Sequence, residues 1–269
     1  MSMDYTARYG MDFNPFLKNS KEILSKTKGY REARFRLDYL LQTKGFGLLT
    51  GASGMGKTTA VRTWCRDLNP SLYKVVYNSL STLTVMDFYR QLAGSLGAEP
   101  AYQKTKNFVA IQNEINRLTI EKRQTPVIII DEANHVGTAV LNDLKMLFNF
   151  EMDSRDKAVV LLVGLPQLNN TLRLGVHESL RQRIVMNYDL TGLTKEEGRE
   201  YIEAKLHGAG CMQPVFDENS VEAILNAANG TPRMINKICN SSLLIGNSRE
   251  MNTISSEIVM QAVSDLELG

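Results

Sequence analysis

The sequence predicts an α/β protein: a doubly wound parallel sheet followed by a small all-helical unit. Three observations carry that expectation. Gly51-Ala-Ser-Gly-Met-Gly-Lys-Thr58 satisfies the phosphate-binding pattern G-x-x-x-x-G-K-[ST] at every fixed position. Apolar, strand-sized runs alternate with helical stretches as far as Leu190, and one of them, Pro126-Val-Ile-Ile-Ile-Asp-Glu132, breaks abruptly into two carboxylates. From Thr194 onward only helical patterns remain.

Taken in order, the opening Tyr9-Gly-Met-Asp-Phe-Asn-Pro-Phe16 mixes aromatics with Gly and Pro and reads as an extended segment packed on the domain surface, ahead of the sheet. From Lys18 to Arg36 the basic residues Lys18, Lys21, Lys26, Lys28, Arg31, Arg34 and Arg36 outnumber Glu22 and Glu32, as a solvated helix face or a phosphate-backbone contact would have it. Phe35, Leu37 and Tyr39-Leu-Leu41 predict a helix leading into the buried strand Phe46–Thr50. The helix after the loop opens at Thr58 and meets no breaker until Asn69-Pro70.

Tyr73–Tyr77 reads as the next strand and Val85–Leu96 as a helix stopped by Gly97. After a polar connection from Glu99 to Thr105, Phe108, Ile111, Ile115 and Leu118 make one helical stripe, with Lys104, Lys106, Arg117, Lys122 and Arg123 off it or at its ends. The strand before Asp131 is followed by a helix marked by Leu141, Leu144, Leu147 and Phe148, then by the strand Ala158–Val163, which Gly164-Leu-Pro166 ends. A helix ending at Leu180 leads through Arg181-Gln-Arg183 to the short run Ile184–Leu190. Thr194-Lys-Glu-Glu197 is a capping box opening a helix to about Leu206, and three more helical stripes follow, around Ile224, Ile238 and Val259. The expected domains are therefore 1–190 and 191–269.

The chemistry follows from residue types. A loop that wraps a triphosphate must aim backbone N–H groups inward with no Cβ in the way, hence glycine at 51, 54 and 56. Lys57 can reach the β and γ phosphates, and the Thr58 hydroxyl is a hard oxygen suited to Mg2+. Ser53, Met55 and Thr59 complete the nucleotide-binding stretch. Asp131 can hold Mg2+ through water and Glu132 can polarise the water that attacks the γ phosphate. ATP and Mg2+ are the expected ligands.

Composition limits the alternatives. A hydrophobic fraction of 43% and a charged fraction of 22% are ordinary for a soluble globular chain. The net charge of +2 does not by itself argue for nucleic acid. Cys65, Cys211 and Cys239 lack zinc-site pairing and read as reduced, mostly buried thiols. With no apolar leader and no run longer than a strand, the expectation is a cytoplasmic protein without a membrane span.

The combination resembles the AAA+ ATPases, a P-loop NTPase group with a helical lid. Gly51–Thr58 is similar to Walker A, Val127–Glu132 to Walker B with its catalytic glutamate, and Gly230-Thr-Pro-Arg233 to the sensor 2 motif, which places Arg233 at the nucleotide. Arg183 in Leu180-Arg-Gln-Arg-Ile184 is similar to the arginine finger that completes a neighbour's site, with Arg181 the other candidate. Gly164 stands where many relatives carry a polar sensor 1 residue; Gln167 or Asn169 could take that role, or it is missing and hydrolysis is slow.

Within the superfamily the resemblance is to the ExeA, TniB and IstB group, on Tyr9-Gly10, Pro15-Phe16, Lys44–Gly51, Val163-Gly-Leu-Pro166 and Leu180–Ile184. The secretion members carry an envelope-binding segment and membrane span not found in this sequence, which weighs toward the transposon-encoded members. That resemblance implies an ATP-dependent regulator of transposition that forms a homo-oligomeric ring or filament on duplex DNA and presents target DNA to a DDE transposase. Lys104, Lys106 and Arg117 are then candidate DNA contacts, along with the Lys18–Arg36 cluster. The alternative is a nucleotide switch acting on a protein partner, without DNA.

Overall fold

The computed structural model describes residues 5–79 and 83–267. The chain divides into two compact units: Glu32–Ser53 with Lys57–Leu190, and Met1–Arg31 with Gly54–Gly56 and Thr191–Gly269.

The first unit is the α/β body. Its elements are α1 (Lys28–Thr43, whose first residues fall in the other unit), β1 (Gly45–Thr50), α2 (Lys57–Asp67), β2 (Tyr73–Asn78), α3 (Val85–Leu96), α4 (Lys104–Ile120), β3 (Thr125–Ile130), α5 (Thr138–Leu147), β4 (Val159–Gly164), α6 (Gln167–Arg173), α7 (Glu178–Arg181) and β5 (Ile184–Asp189). The five strands lie in the order β2-β3-β4-β1-β5, every neighbouring pair parallel. Parallel neighbours need long crossovers, and the intervening helices supply them.

The pattern of burial explains the order. In β1 and β4 every residue is buried, and in β3 every residue after Thr125. A strand covered on both faces has to be apolar throughout, so these three take the centre. β2 and β5 mix buried with exposed positions and form the edges. Gly47 lets α1 pack closely on β1, since a Cβ there would sit 2.4 Å from Leu40 Cδ2. Trp64 of α2 is fully buried, its indole N–H donating to Asp38 at 3.0 Å.

The second unit holds α8 (Lys195–Gly208), α9 (Glu218–Ala228), α10 (Pro232–Ser248) and α11 (Ser256–Glu267). The capping box read from the sequence is formed: Glu197 N–H donates to Thr194 Oγ1 at 3.2 Å and Thr194 N–H to Glu197 Oε2 at 3.1 Å. Asp217 caps α9 by accepting from Ser220 N–H at 2.6 Å.

The N-terminal segment departs from expectation. Rather than joining the α/β body in a 1–190 domain, the described N-terminal residues 5–31 group with the helical unit. Tyr5, Tyr9, Met11 and Phe16 are buried in its core beside Leu206, Phe216, Ile238 and Leu243. Asn14 Nδ2 donates to Asn240 at 2.7 Å, the Tyr9 hydroxyl to the Leu243 carbonyl at 3.3 Å, and buried Lys205 to the Pro15 carbonyl at 2.7 Å. The aromatics are thus core residues of a unit whose other members lie some two hundred positions along the chain.

Candidate nucleotide site

β1 and β3 are separated in the sheet by β4, and the loops at their C-terminal ends carry the motif residues. After β1 the chain adopts backbone that favours glycine, with φ of +82° at Gly54 and +94° at Gly56. A Cβ on Gly56 would meet nothing within 4 Å among the described residues, so conformation rather than crowding selects glycine there. Lys57 opens α2, is 9% exposed, and donates from Nζ to the carbonyls of Gly51 at 2.7 Å and Ala52 at 3.0 Å. The loop's own oxygens therefore hold the ammonium against it. The start of α2 adds positive helix-dipole character at the same place.

The carboxylate of Asp131, which is 6% exposed, is fixed from several sides. Its Oδ2 accepts from Thr58 Oγ1 at 3.2 Å and from the Tyr77 hydroxyl at 2.7 Å; its Oδ1 accepts from Glu132 N–H at 2.9 Å. Its own N–H donates to the Asn78 carbonyl at 2.9 Å. Burial, the hydrogen bond to Asp131 and the charges of Asp131 and Glu132 all push the Tyr77 hydroxyl pKa upward, so it stays a donor. Sequence reasoning missed Tyr77, because its place depends on the β2–β3 register, Tyr77 opposite Ile129 and Asn78 opposite Ile130. Thr58 and Asp131 together make a pair of hard oxygens that fits Mg2+.

Glu132 is exposed and takes left-handed backbone, φ 52° and ψ 36°. That conformation costs a non-glycine residue about 1–2 kcal/mol and turns the chain sharply at the strand end. Its carboxylate makes no hydrogen bond or ion pair among the described residues, as suits a group that takes a proton from water.

Gly164, at the end of β4, has a packing reason. A Cβ there would lie 2.9 Å from Asn134 Oδ1 and 3.1 Å from Asn134 N, and that Oδ1 accepts from Leu165 N–H at 3.0 Å. Asn134 thus fills the room a sensor 1 side chain would need. Of the substitutes named from sequence, Asn169 donates to Thr50 Oγ1 at 3.0 Å, which in turn donates to Asp189 at 2.7 Å, while Gln167 is exposed.

Residues 40–172 match the family described as an AAA domain. The fold is that of the AAA+ P-loop ATPases. The chain is 31% identical over 257 residues to general secretion pathway protein A of Aeromonas hydrophila, a match covering 93% of this chain and 46% of that protein. It spans about half the length of the curated relatives it matches. Among solved structures, the Aeropyrum pernix ORC2 protein, described as ADPNP and ADP complexes, superposes with TM-score 0.68 at 17% identity, over 95% of this chain and 72% of that one. The Aeropyrum pernix ORC1 protein in complex with DNA gives TM-score 0.66 at 20% identity, over 94% and 69%.

The remaining AAA+ candidates divide. Arg233 N–H donates to the Gly54 carbonyl at 3.3 Å, and a Cβ on Gly54 would lie 2.8 Å from Arg233 Cβ, all within the unit that holds both. Arg183 is half-buried, donates to the Lys145 carbonyl near the end of α5 at 2.8 Å, and has its pKa lowered by burial. Arg181 is exposed and donates to the Arg173 carbonyl at the end of α6 at 2.9 Å. A guanidinium has five N–H donors, so these bonds orient the two arginines without exhausting them.

Two of the three named DNA candidates are engaged within the chain. Lys104 pairs with buried Asp143 at 2.6 Å, and Arg117 grips Glu114 through two nitrogens, at 2.8 and 2.6 Å. That pair holds the Glu114 carboxyl below its usual range. Lys106, Lys18, Lys26, Lys28 and Arg31 are exposed, whereas Arg34 pairs with Asp67 at 2.7 Å and Arg36 with Glu32 at 2.6 Å. Among the described residues no helix is long and apolar enough to cross a membrane.

Proposed function

We propose that this chain binds ATP with Mg2+ and hydrolyses it, using the nucleotide state to control its assembly and its hold on DNA. The observation that carries the reading is the meeting of Thr58, Asp131 and Glu132, at the ends of two strands that are not sheet neighbours. Gly51, Ser53, Gly54, Met55, Gly56, Lys57, Thr58 and Thr59 would cradle the phosphates; Thr58 and Asp131 would hold the ion. Bound there, Mg2+ would offset the negative charge of the phosphates. Lys57 exchanges its carbonyl partners for phosphate oxygens, and Glu132 accepts the proton of the attacking water. Arg233 would contact the nucleotide held by its own subunit. Arg183, or Arg181, would reach the nucleotide of a neighbouring copy and make hydrolysis depend on assembly.

For the output of the cycle we propose sequence-tolerant, salt-sensitive binding of duplex DNA by a ring or filament that presents target DNA to a DDE transposase. The family motifs in the sequence and the DNA-bound ORC1 likeness support this reading. With Lys104 and Arg117 engaged elsewhere, the contacts would fall to Lys106 and the exposed Lys18, Lys26, Lys28 and Arg31. A second reading, a nucleotide switch for a protein partner, is favoured by the 31% identity to a secretion pathway protein. Fluorescence anisotropy of labelled duplex at low salt separates the two. Binding that strengthens with ATP and is lost in Lys57→Ala supports the first; no duplex binding in either nucleotide state supports the second.

A further inference from the structure

An aspartate's terminal torsion is soft, so a carboxylate keeps one orientation only if donors hold both of its oxygens. At Asp131 the backbone N–H of Glu132 takes Oδ1, and two hydroxyls, Thr58 and Tyr77, share Oδ2. The two are not equivalent. Thr58 is the nearer to a metal-ligand role and lies on α2; the Tyr77 bond is the shorter by half an ångström, 2.7 against 3.2 Å, and comes from edge strand β2. When the Thr58 hydroxyl turns to a metal it leaves Oδ2, while the Tyr77 hydroxyl still donates to that oxygen. Tyr77 as a residue is 50% exposed, so little packing accounts for a large aromatic there; its hydroxyl has a defined partner in a carboxylate that is almost wholly buried.

We propose that Tyr77 is a positioning residue for the divalent ion: by holding Oδ2 of Asp131 it sets how strongly Mg2+ tightens nucleotide binding. The inference rests on Thr58 and Asp131 forming the ion site. Partners of metal ligands change metal affinity by about 10- to 100-fold when removed, and a half-exposed tyrosine belongs at the low end, about 10-fold.

The test is a Mg2+ titration of a fluorescent ATP analogue bound to the full chain, parent against Tyr77→Phe, with the affinity in EDTA measured alongside. Tyr77→Phe should need about 10-fold more Mg2+ to reach half of the tightening, with the EDTA affinity unchanged. Mn2+ binding followed by electron paramagnetic resonance in the presence of ADP should weaken by a similar factor, independently of hydrolysis. Equal Mg2+ midpoints would overturn the proposal, as would an EDTA affinity that falls as far as the Mg2+ affinity, which would make Tyr77 a prop for the loop. If the parent itself binds no more tightly with Mg2+ than without, the ion site is wrong as well.

Discussion

Gly164 stands where the resemblance to AAA+ ATPases leads one to expect a polar side chain, and the structure says that placing any side chain there harms the α/β body. Even alanine puts a Cβ 2.9 Å from Asn134 Oδ1, 3.1 Å from Asn134 N and 3.1 Å from Leu168 Cδ2. Overpacking of this kind costs about 1–3 kcal/mol, and displacing the Asn134 amide from Leu165 N–H costs about 1 kcal/mol more. The sum, about 2–4 kcal/mol, divided by a urea slope of about 2 kcal/mol/M, lowers the unfolding midpoint by roughly 1–2 M. Trp64 is the one tryptophan and lies buried in the α/β body, so its fluorescence follows that unit alone. Asn134→Ala clears the nearest clash and should make the double variant less unstable than the sum of the singles by about 1 kcal/mol. A Gly164→Ala midpoint within about 0.2 M of the parent, a small fraction of the expected shift, would refute the packing argument.

Lys104→Ala strips the counter-charge from buried Asp143, and because Lys104 is 44% exposed the loss should be about 1–2 kcal/mol, read by the same urea assay, while duplex affinity stays unchanged. Arg117→Ala likewise should leave duplex affinity alone, since its guanidinium is committed to Glu114; a fall in affinity with a shallower salt dependence would return it to the DNA surface. His177 is fully buried, neither ring nitrogen has a hydrogen-bond partner among the described residues, and burial lowers its pKa. The unfolded chain binds that proton more readily, so stability is full above the ordinary histidine pKa of about 6.5 and declines as pH falls below it. The Trp64-monitored midpoint should therefore drop between pH 7.5 and pH 5.5, and drop less in His177→Leu.

The sequence speaks clearly where one segment determines its own environment. The apolar runs before Asp131 and Gly164 had to be central strands, and Thr194 and Glu197 had to cap a helix, because covering both faces of a strand and satisfying a helix start are local demands. It is silent where distant segments meet. The burial of Tyr9 and Phe16 against Leu243 and Phe216, the bond from Tyr77 to Asp131 and the crowding of Gly164 by Asn134 all depend on register or docking between elements. The Arg117–Glu114 pair is an intermediate case. Its i, i+3 spacing lies within one helix, so a local pairing rule could have found it even though the sequence makes Arg117 a DNA candidate, whereas Lys104 and Asp143 meet across two helices.

The central claim is that Thr58, Asp131 and Glu132 form a site that hydrolyses ATP, with Glu132 as the base. The most direct measurement is single-turnover hydrolysis of ATP by Glu132→Gln alongside its affinity for a fluorescent ATP analogue. The account predicts affinity within a few-fold of the parent and a hydrolysis rate lower by about 100-fold or more. Hydrolysis at the parental rate by Glu132→Gln would contradict it.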